Sequence, residues 1–491
     1  MHRKLSVPFV LLLAVALIAA SCGNSGDEDE TVTDDTTTTT TTAAPDDGGD
    51  DDGSDDDGSD DADGSGDGDG SGDDDDEPAW DRTTFVPLEG VPGVTDEEIR
   101  VAVIGTDELN PLGTCILPCY ITGIQAYFDE INETGGIFGR DLVIDHVLDD
   151  QLFANQDRSL EVIADDDVFA VFNATLGAGG WGDLHEAGIP NFTWNIHAQE
   201  AANRDTVFGH FAVGCDTCSQ RVVPWLMTQA GASTIATLGY GVSENSKVCA
   251  NAVADSVELY GDELGISVGF VNDSLDFGLS SGIGPEVSQM IDAGVDFIST
   301  CLDLNAMRTL ADELVRQGVR DQITMHHPNT YDVGFVAEAG NLFDGDYVAP
   351  QFRALEYPND SPLRAIYDAR VEGGDGPIAE QSMVGFINAD HLYTGLLKAG
   401  PEFSRQAVID ALNNGDFYDA QGLINPIDWS RQHTPPTEDD PTNDYRLECA
   451  AMVQMQDGAF VPFQDDAFMC WDNSSTDWAE PQPFDTFDVF G

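Results

Sequence analysis

From Glu98 onward, short β-branched runs alternate with stretches whose apolar positions recur at helical spacing. This alternation predicts a parallel sheet covered by helices, because a strand buried on both faces reads as a continuous apolar run and a surface helix as a stripe. In the first half the pattern predicts strands over Ile99 to Ile104, Leu142 to Val147, Val168 to Phe172 and Asn191 to Trp194. Helices are predicted over Ile116 to Asn132, Asn155 to Ala164 and Trp181 to Ala187. Gly135 and Gly136 stop the long helix, where the backbone turns left-handed at no side-chain cost. In the second half, strands are expected at Thr234 to Leu238, Ser267 to Val271, Phe297 to Thr300 and Ile323 to His326. The helices between and around them are Ser219 to Gln229, Ser246 to Leu259, Pro285 to Ala293, Ala306 to Gln317 and Val333 to Ala339. After Tyr347 to Phe352 come helices Leu363 to Val371, Glu380 to Ala399 and Arg405 to Asn413. Two last strands, Cys449 to Met455 and Ala459 to Pro462, are expected to close the sheet of one lobe. About 390 residues exceed what one compact core organises, so two lobes are expected.

Ahead of this body the chain reads differently. Arg3 and Lys4 precede an apolar stretch, Val7 to Ala20, of signal-peptide length and short of the about 18 residues that span a bilayer. Ala19-Ala20-Ser21-Cys22 then resembles a bacterial lipobox, with Ala19 where that pattern prefers Leu. The resemblance implies cleavage before Cys22, lipidation of its thiol, and an extracytoplasmic protein anchored to the outer face of the cell membrane. An ordinary secretory signal is the alternative. Residues 27 to 77 hold 24 Asp or Glu and no Lys or Arg. Such a tract has nothing to bury and repels itself, so it is expected to be a disordered tether with an end-to-end reach of about 40 Å or more. Its Asp67-Gly-Asp69-Gly-Ser71-Gly72 run resembles a calcium loop, but Pro78 stands where the closing Glu is needed.

The body remains acidic at about −50 by formal count, from 67 acidic and 17 basic residues beyond residue 77. Nucleic acid and anionic membrane surfaces are thereby excluded as partners, and the surface suits salty surroundings, where self-repulsion is screened. Eight cysteines follow Cys22, an even number that predicts disulfides in an oxidising compartment. The pairing expected is Cys115 with Cys119, Cys215 with Cys218, Cys249 with Cys301 and Cys449 with Cys470. Cys215-Asp-Thr-Cys218 has redox spacing but lacks the strand and helix that would surround such a motif.

The block Gly123-Ile-Gln-Ala-Tyr-Phe-Asp-Glu-Ile-Asn-Glu-Thr-Gly135-Gly136-Ile-Phe-Gly139-Arg140, running into Leu142-Val-Ile-Asp-His-Val-Leu-Asp149-Asp150, resembles the N-terminal block of periplasmic binding proteins of the leucine/isoleucine/valine type. Glu186-Ala-Gly-Ile-Pro190 and Ala293-Gly-Val-Asp-Phe-Ile298 add weaker likeness. The resemblance implies two Rossmann-like lobes with parallel sheets joined by a three-strand hinge, closing on a ligand. Its expected divisions are a signal peptide over 1–21, a tether over 22–80, a first lobe from 97–216 and 350–430, a second from 217–349 and 431–470, and a tail over 471–491.

Ligands of open parallel sheets sit outside the carboxyl ends of the strands. The loops expected there are Thr106 to Thr114, Ala174 to Trp181, Trp194 to His197, Tyr240 to Asn245, Cys301 to Asn305 and His326 to Tyr331. By position within the family, Thr175, Gly177, Ala178, Asn195 and His197 are the expected first-lobe ligand residues, and Tyr240, Asp303 and His327 the second-lobe ones. The family's acid for an α-ammonium has no counterpart around His327 to Asn329, and only Asp332 is near. That puts a plain branched-chain amino acid in doubt and leaves an amide, a urea-like compound, a carboxylate or an aromatic acid open. Trp181 and Tyr331 are candidates for stacking. His326 and His327 point to opposite faces of a strand, so one buried and one cleft-facing ring is expected rather than a metal pair.

Gly278-Leu-Ser280-Ser-Gly282 matches a nucleophile-elbow string but lacks the strand and helix flanking it directly, so a loop is expected. No phosphate loop or zinc-spaced histidines stand out. The sequence therefore predicts a non-enzymatic, monomeric solute-binding lipoprotein without cofactor, serving an ABC permease. A sensory receptor domain and a secreted α/β hydrolase are the alternatives.

Overall fold

A computed structural model describes residues 80–110, 112–214, 219–328, 330–373, 377–437 and 447–487. The expected signal peptide, the lipidated Cys22, the acidic tether with its calcium-like run, and the Cys215 to Cys218 pair lie outside the described residues. Among the described residues no helix is long and apolar enough to cross a membrane.

The first half runs β1 (Glu98–Gly105), α1 (Leu117–Glu133), β2 (Asp141–Asp149), α2 (Asn155–Asp165), β3 (Ala170–Ala174), α3 (Trp181–Glu186), β4 (Asn191–Thr193), α4 (Ala198–Ala201) and β5 (Val207–Gly209). The second runs α5 (Val222–Ala230), β6 (Thr234–Tyr240), α6 (Glu244–Leu264), β7 (Ser267–Leu275), α7 (Gly284–Asp292), β8 (Phe297–Cys301), α8 (Leu304–Gln317), β9 (Thr324–Pro328), α9 (Val333–Ala339) and β10 (Tyr347–Ala349). Then follow α10 (Pro362–Tyr367), α11 (Glu380–Ala399), α12 (Arg405–Leu412), β11 (Phe417–Tyr418), β12 (Ile427–Asp428), β13 (Leu447–Ala451), β14 (Val453–Gln456), β15 (Ala459–Pro462), β16 (Phe468–Asp472) and β17 (Gln482–Pro483).

Two sheets organise these elements into two lobes. The first is ordered β2-β1-β3-β4-β5 and is parallel throughout. The second is ordered β15-β14-β10-β9-β8-β6-β7, parallel from β7 to β10, with β14 and β15 added antiparallel at one edge. The chain passes between the lobes after β5, after β10, and between β12 and β13. Helix α11 returns to the first lobe and lies against α1, where Gly123 and Gly385 let the backbones touch. A Cβ on Gly123 would stand 1.9 Å from the Ser382 carbonyl oxygen, and one on Gly385 2.2 Å from that of Tyr120.

The final strands depart from expectation. The run Cys449 to Met455 is two strands, not one, because Met452 separates a piece paired with β16 from a piece paired with β10. A third, antiparallel sheet is completed by β16, which runs from the expected second lobe into the expected tail at Trp471 and Asp472, and by β17 within that tail. Its Trp471 packs edge-on against Trp225 of α5 at 5.7 Å. Arg221, at the start of α5, holds Glu448 of β13 and Asn473 just after β16. Disulfides Cys115–Cys119, Cys249–Cys301 and Cys449–Cys470 are formed as expected.

Candidate functional site

The carboxyl ends of both sheets face each other across a cavity of about 420 Å³. Its walls come from the loops after β1, β2, β3 and β4 on one lobe and after β6, β7, β8 and β9 on the other. Each sheet reverses its strand order here, between β1 and β3 and between β6 and β8. Helices leave in opposite directions at such a point and open a crevice. A second cavity, of about 280 Å³, lies where the crossovers run past His210, Gln351 and Glu448, away from those strand ends.

Of the residues expected at the site, Gly177, Ala178, His197, Tyr240 and Asp303 line the larger cavity. Thr175, Asn195 and His327 do not. Thr175 is buried beneath it, its hydroxyl engaged with Asn155, Asn173 and the Gly177 carbonyl. Asn195 is buried and donates to the Phe211 carbonyl at 2.9 Å, which braces a crossover. His327 is fully buried within the sheet, with Nδ1 at 2.6 Å from Thr300 Oγ1 and Nε2 near Asp346, which also pairs with Arg320. His326 is likewise buried, against Ser299. The two rings do point to opposite faces, but helices cover both faces of a central strand, so neither ring reaches the cleft. Trp181 is buried edge-on to His197, and Tyr331 stacks on Phe460 at 4.6 Å, so neither lines the larger cavity.

Tyr240 ends β6 and Asp303 follows β8. The Tyr240 hydroxyl donates to Asp303 Oδ2, while Oδ1 accepts from the N–H groups of Asn305 and Ala306 and so caps α8. Burial raises the Asp303 pKa, and these donors only partly offset it. His197 spans the two lobes. The Thr175 carbonyl can only accept, so the 2.9 Å contact fixes the imidazole proton on Nε2. Nδ1 then accepts from Asn245 Nδ2, on α6 of the opposite lobe, also at 2.9 Å. Burial lowers the His197 pKa from 6.5 to about 4, against the opposing pull of the Thr175 carbonyl.

Further backbone contacts join the lobes. Asn305 N–H donates to the Leu112 carbonyl at 3.3 Å at the mouth. At the rear, Glu380 N–H donates to Tyr331 O at 2.7 Å and Val333 N–H to Ile378 O at 3.2 Å.

Most of the remaining wall is apolar, including Leu112, Leu176, Trp194, Ile196, Phe277 and Leu302. Phe153 and Val242 stand at the rim, 84 % and 80 % exposed. The loops after β2 and β7, which supply Leu152, Phe153 and Phe277, escaped the sequence reading. Their residues carry no hydrogen-bonding chemistry, so only their position gives them a role. Behind the cavity a small chamber is lined by Thr114, Asp332, Glu380 and Gln381, among others, and Thr114 belongs to both spaces. Among the described residues, neither space is lined by Lys or Arg.

Other chemistry is sparse. Ser280 and Ser281 follow a 3₁₀ turn over Phe277–Leu279, and the Ser281 hydroxyl bonds to Asp276, so the elbow string is a loop. Asp145, His146 and Asp167 approach one another on the outer side of β2, with Arg100 against Asp145, as a surface ion group.

Residues 98–459 match the family model described as "Periplasmic binding protein". Solved structures share the fold. A fatty acid ABC transporter substrate-binding protein from Thermomonospora curvata is 16 % identical, with a TM-score of 0.58 over 79 % of this chain and 95 % of that one. A branched chain amino acid ABC transporter from Thermus thermophilus with bound valine is 17 % identical, with a TM-score of 0.57 over 79 % of this chain and 97 % of that one. A leucine binding protein from Thermotoga maritima is 13 % identical, with a TM-score of 0.57 over 79 % and 100 %. None of the curated proteins matches the chain by sequence.

Proposed function

We propose that this chain, which belongs to the periplasmic binding protein family, is a lipid-tethered extracytoplasmic receptor that captures a small solute by lobe closure and hands it to an ABC importer. The observation that carries this reading is the cavity walled by strand-end loops of both lobes, into which Gly177, Ala178 and His197 project from one side and Tyr240 and Asp303 from the other. A solute in that space touches both halves at once, so its binding energy favours the closed state over the open one. Closure strips water from apolar walls, which supplies affinity, while a few fixed polar groups supply orientation. No step of bond making is required.

The names of the similar structures support delivery to a transporter and leave amino acids, fatty acids and other small molecules open. Cys22 and the acidic segment after it fit a lipid anchor and a spacer that lifts the receptor off the membrane.

The test uses the full chain carrying Cys22→Ser, so that no lipid is attached, in a melting-temperature screen against amino acids, amides, alkyl and aromatic acids, and amines. A true ligand raises the melting temperature in proportion to the logarithm of its concentration above Kd and reduces the radius of gyration in small-angle scattering. If no compound does either, or if a bound compound is recovered chemically altered, the receptor reading is wrong.

A further inference from the structure

The chamber behind the cleft contains a buried acid without a partner. Glu380, the first residue of α11, is 2 % exposed, and among the described residues neither carboxyl oxygen has a hydrogen-bond partner. Gln381 beside it is 1 % exposed, with its side-chain oxygen and nitrogen equally unpartnered. Both line the chamber, whose free space of about 10 Å³ admits one group the size of a water or an ammonium. Thr114 lines this chamber and the main cavity alike, and Leu304 in the chamber wall directly follows Asp303 in the cavity wall.

Three carboxyls therefore line the two spaces, Asp303 the main cavity and Asp332 and Glu380 the chamber, and none of them is ion-paired among the described residues. Two are already committed. Asp303 caps α8, and Asp332 caps α9 by accepting from Phe335 N–H at 2.7 Å. Glu380 alone has its oxygens uncommitted. The Trp194 indole N–H lies beside it and favours its ionised form, outside hydrogen-bonding geometry. An unpaired buried carboxyl costs free energy unless it stays protonated or meets a cation. Burial accordingly holds its pKa up at about 8.

The main cavity sets the rest of the ligand. Its polar side chains are largely engaged within the protein, apart from Glu244, an exposed carboxylate at the wall that faces Lys247 Nζ at 3.9 Å. His197 holds Thr175 and Asn245, Tyr240 holds Asp303, and Ser246 bonds the Cys301 carbonyl and the Tyr240 N–H. What the walls offer a guest is chiefly apolar surface. Among the described residues no Lys or Arg lines either space to meet an anion, and the acidic body repels one.

We propose that Glu380 and Gln381 form a head-group subsite for an organic cation, so that the ligand is an amine with an apolar body and no carboxylate. This rests on the solute-receptor reading above and narrows it.

The test measures binding at pH 7 for four probes of one shape: leucine, 3-methylbutylamine (leucine without its carboxylate), and 4-methylpentanoate and 4-methylpentanamide, which lack the ammonium. The amine is expected to raise the melting temperature with the logarithm of its concentration above Kd, and the carboxylate to leave it unmoved. Glu380→Gln should weaken the amine at least tenfold while the ligand-free protein melts at the same temperature or higher, since a neutral isostere replaces a buried acid. Gln381→Ala should also weaken it. No binding of the amine, equal binding to Glu380→Gln, or tighter binding of leucine or 4-methylpentanoate each overturns the inference. In the last case lobe closure on those acids would leave the receptor reading standing. Failure of the whole compound screen would remove that reading as well.

Discussion

In the receptor proposed above, the His197 bridge should make lobe closure sensitive to acid, and the effect has a calculable size. In the closed arrangement the ring is buried, and its two contacts need a proton on Nε2 and a lone pair on Nδ1. Its pKa is held down to about 4, against 6.5 for an exposed ring. A base whose pKa is depressed in the closed state takes up protons preferentially when open. The contribution of His197 to closure is therefore fully present above about pH 6.5 and is lost progressively as pH falls toward 4. Between about pH 7 and about pH 5.5 these two values weaken closure about eightfold, or about 1.2 kcal/mol. Asp303, Asp332 and Glu380 have pKa values raised by burial, so any exposure of them on opening acts with the opposite sign. The informative quantity is consequently the difference from His197→Gln, whose amide still donates to Thr175 but does not titrate. Spin labels on cysteines replacing Phe153 and Val242, the exposed residues on opposite rims, report the closed fraction by electron–electron distance measurement. The ratio of closed to open should fall about eightfold more in the parent than in His197→Gln over this pH range. Acid responses that agree within a factor of about two would refute the reasoning.

Three further outcomes follow from the packing. Gly123→Ala should destabilise the protein by about 1–3 kcal/mol in urea melts, because its methyl would collide with the Ser382 carbonyl and force α1 and α11 apart. Replacing Cys249 and Cys301 together by Ser should cost about 4 kcal/mol, from the loop-closure entropy of a 52-residue separation, and loosen the cavity wall that both residues line. Asp303→Ala should lower the stability of the ligand-free protein by about 1 kcal/mol by stripping the cap of α8, whereas Asp303→Asn, which can still accept those N–H bonds, should leave it within about 0.5 kcal/mol. Calorimetric melting of the two variants side by side separates that structural cost from any loss of ligand affinity.

How much was legible in the chain divides along physical lines. Strands Ile99 to Ile104 and Thr234 to Leu238, and helix Glu380 to Ala399, could be read to within a few residues because each announces itself by a local period of apolar positions. The strand-end loops that carry Gly177, His197, Tyr240 and Asp303 were legible too, since a parallel sheet fixes at which end of each strand its loop opens. The disulfides Cys249–Cys301 and Cys449–Cys470 followed from strand ends and strand neighbours.

Burial and partnership were not legible, because both are set by segments far away in sequence. His327 and Asn195 carry cleft-like chemistry, yet the sheet takes one and a crossover the other. The run Cys449 to Met455 reads as one strand, but two different neighbours divide it at Met452. Glu380 looks like an ordinary acid in the first turn of a helix. Only the meeting of that turn with Tyr331 and Asp332 from the other lobe, more than 45 residues earlier in the chain, buries its carboxyl beside the cleft. The sequence by itself determined the alternation of strands and helices and the edge at which a site must open, since both are local and periodic. The tertiary structure alone decided which polar groups are spent on the protein itself and which remain for a ligand, since desolvation depends on everything that surrounds an atom.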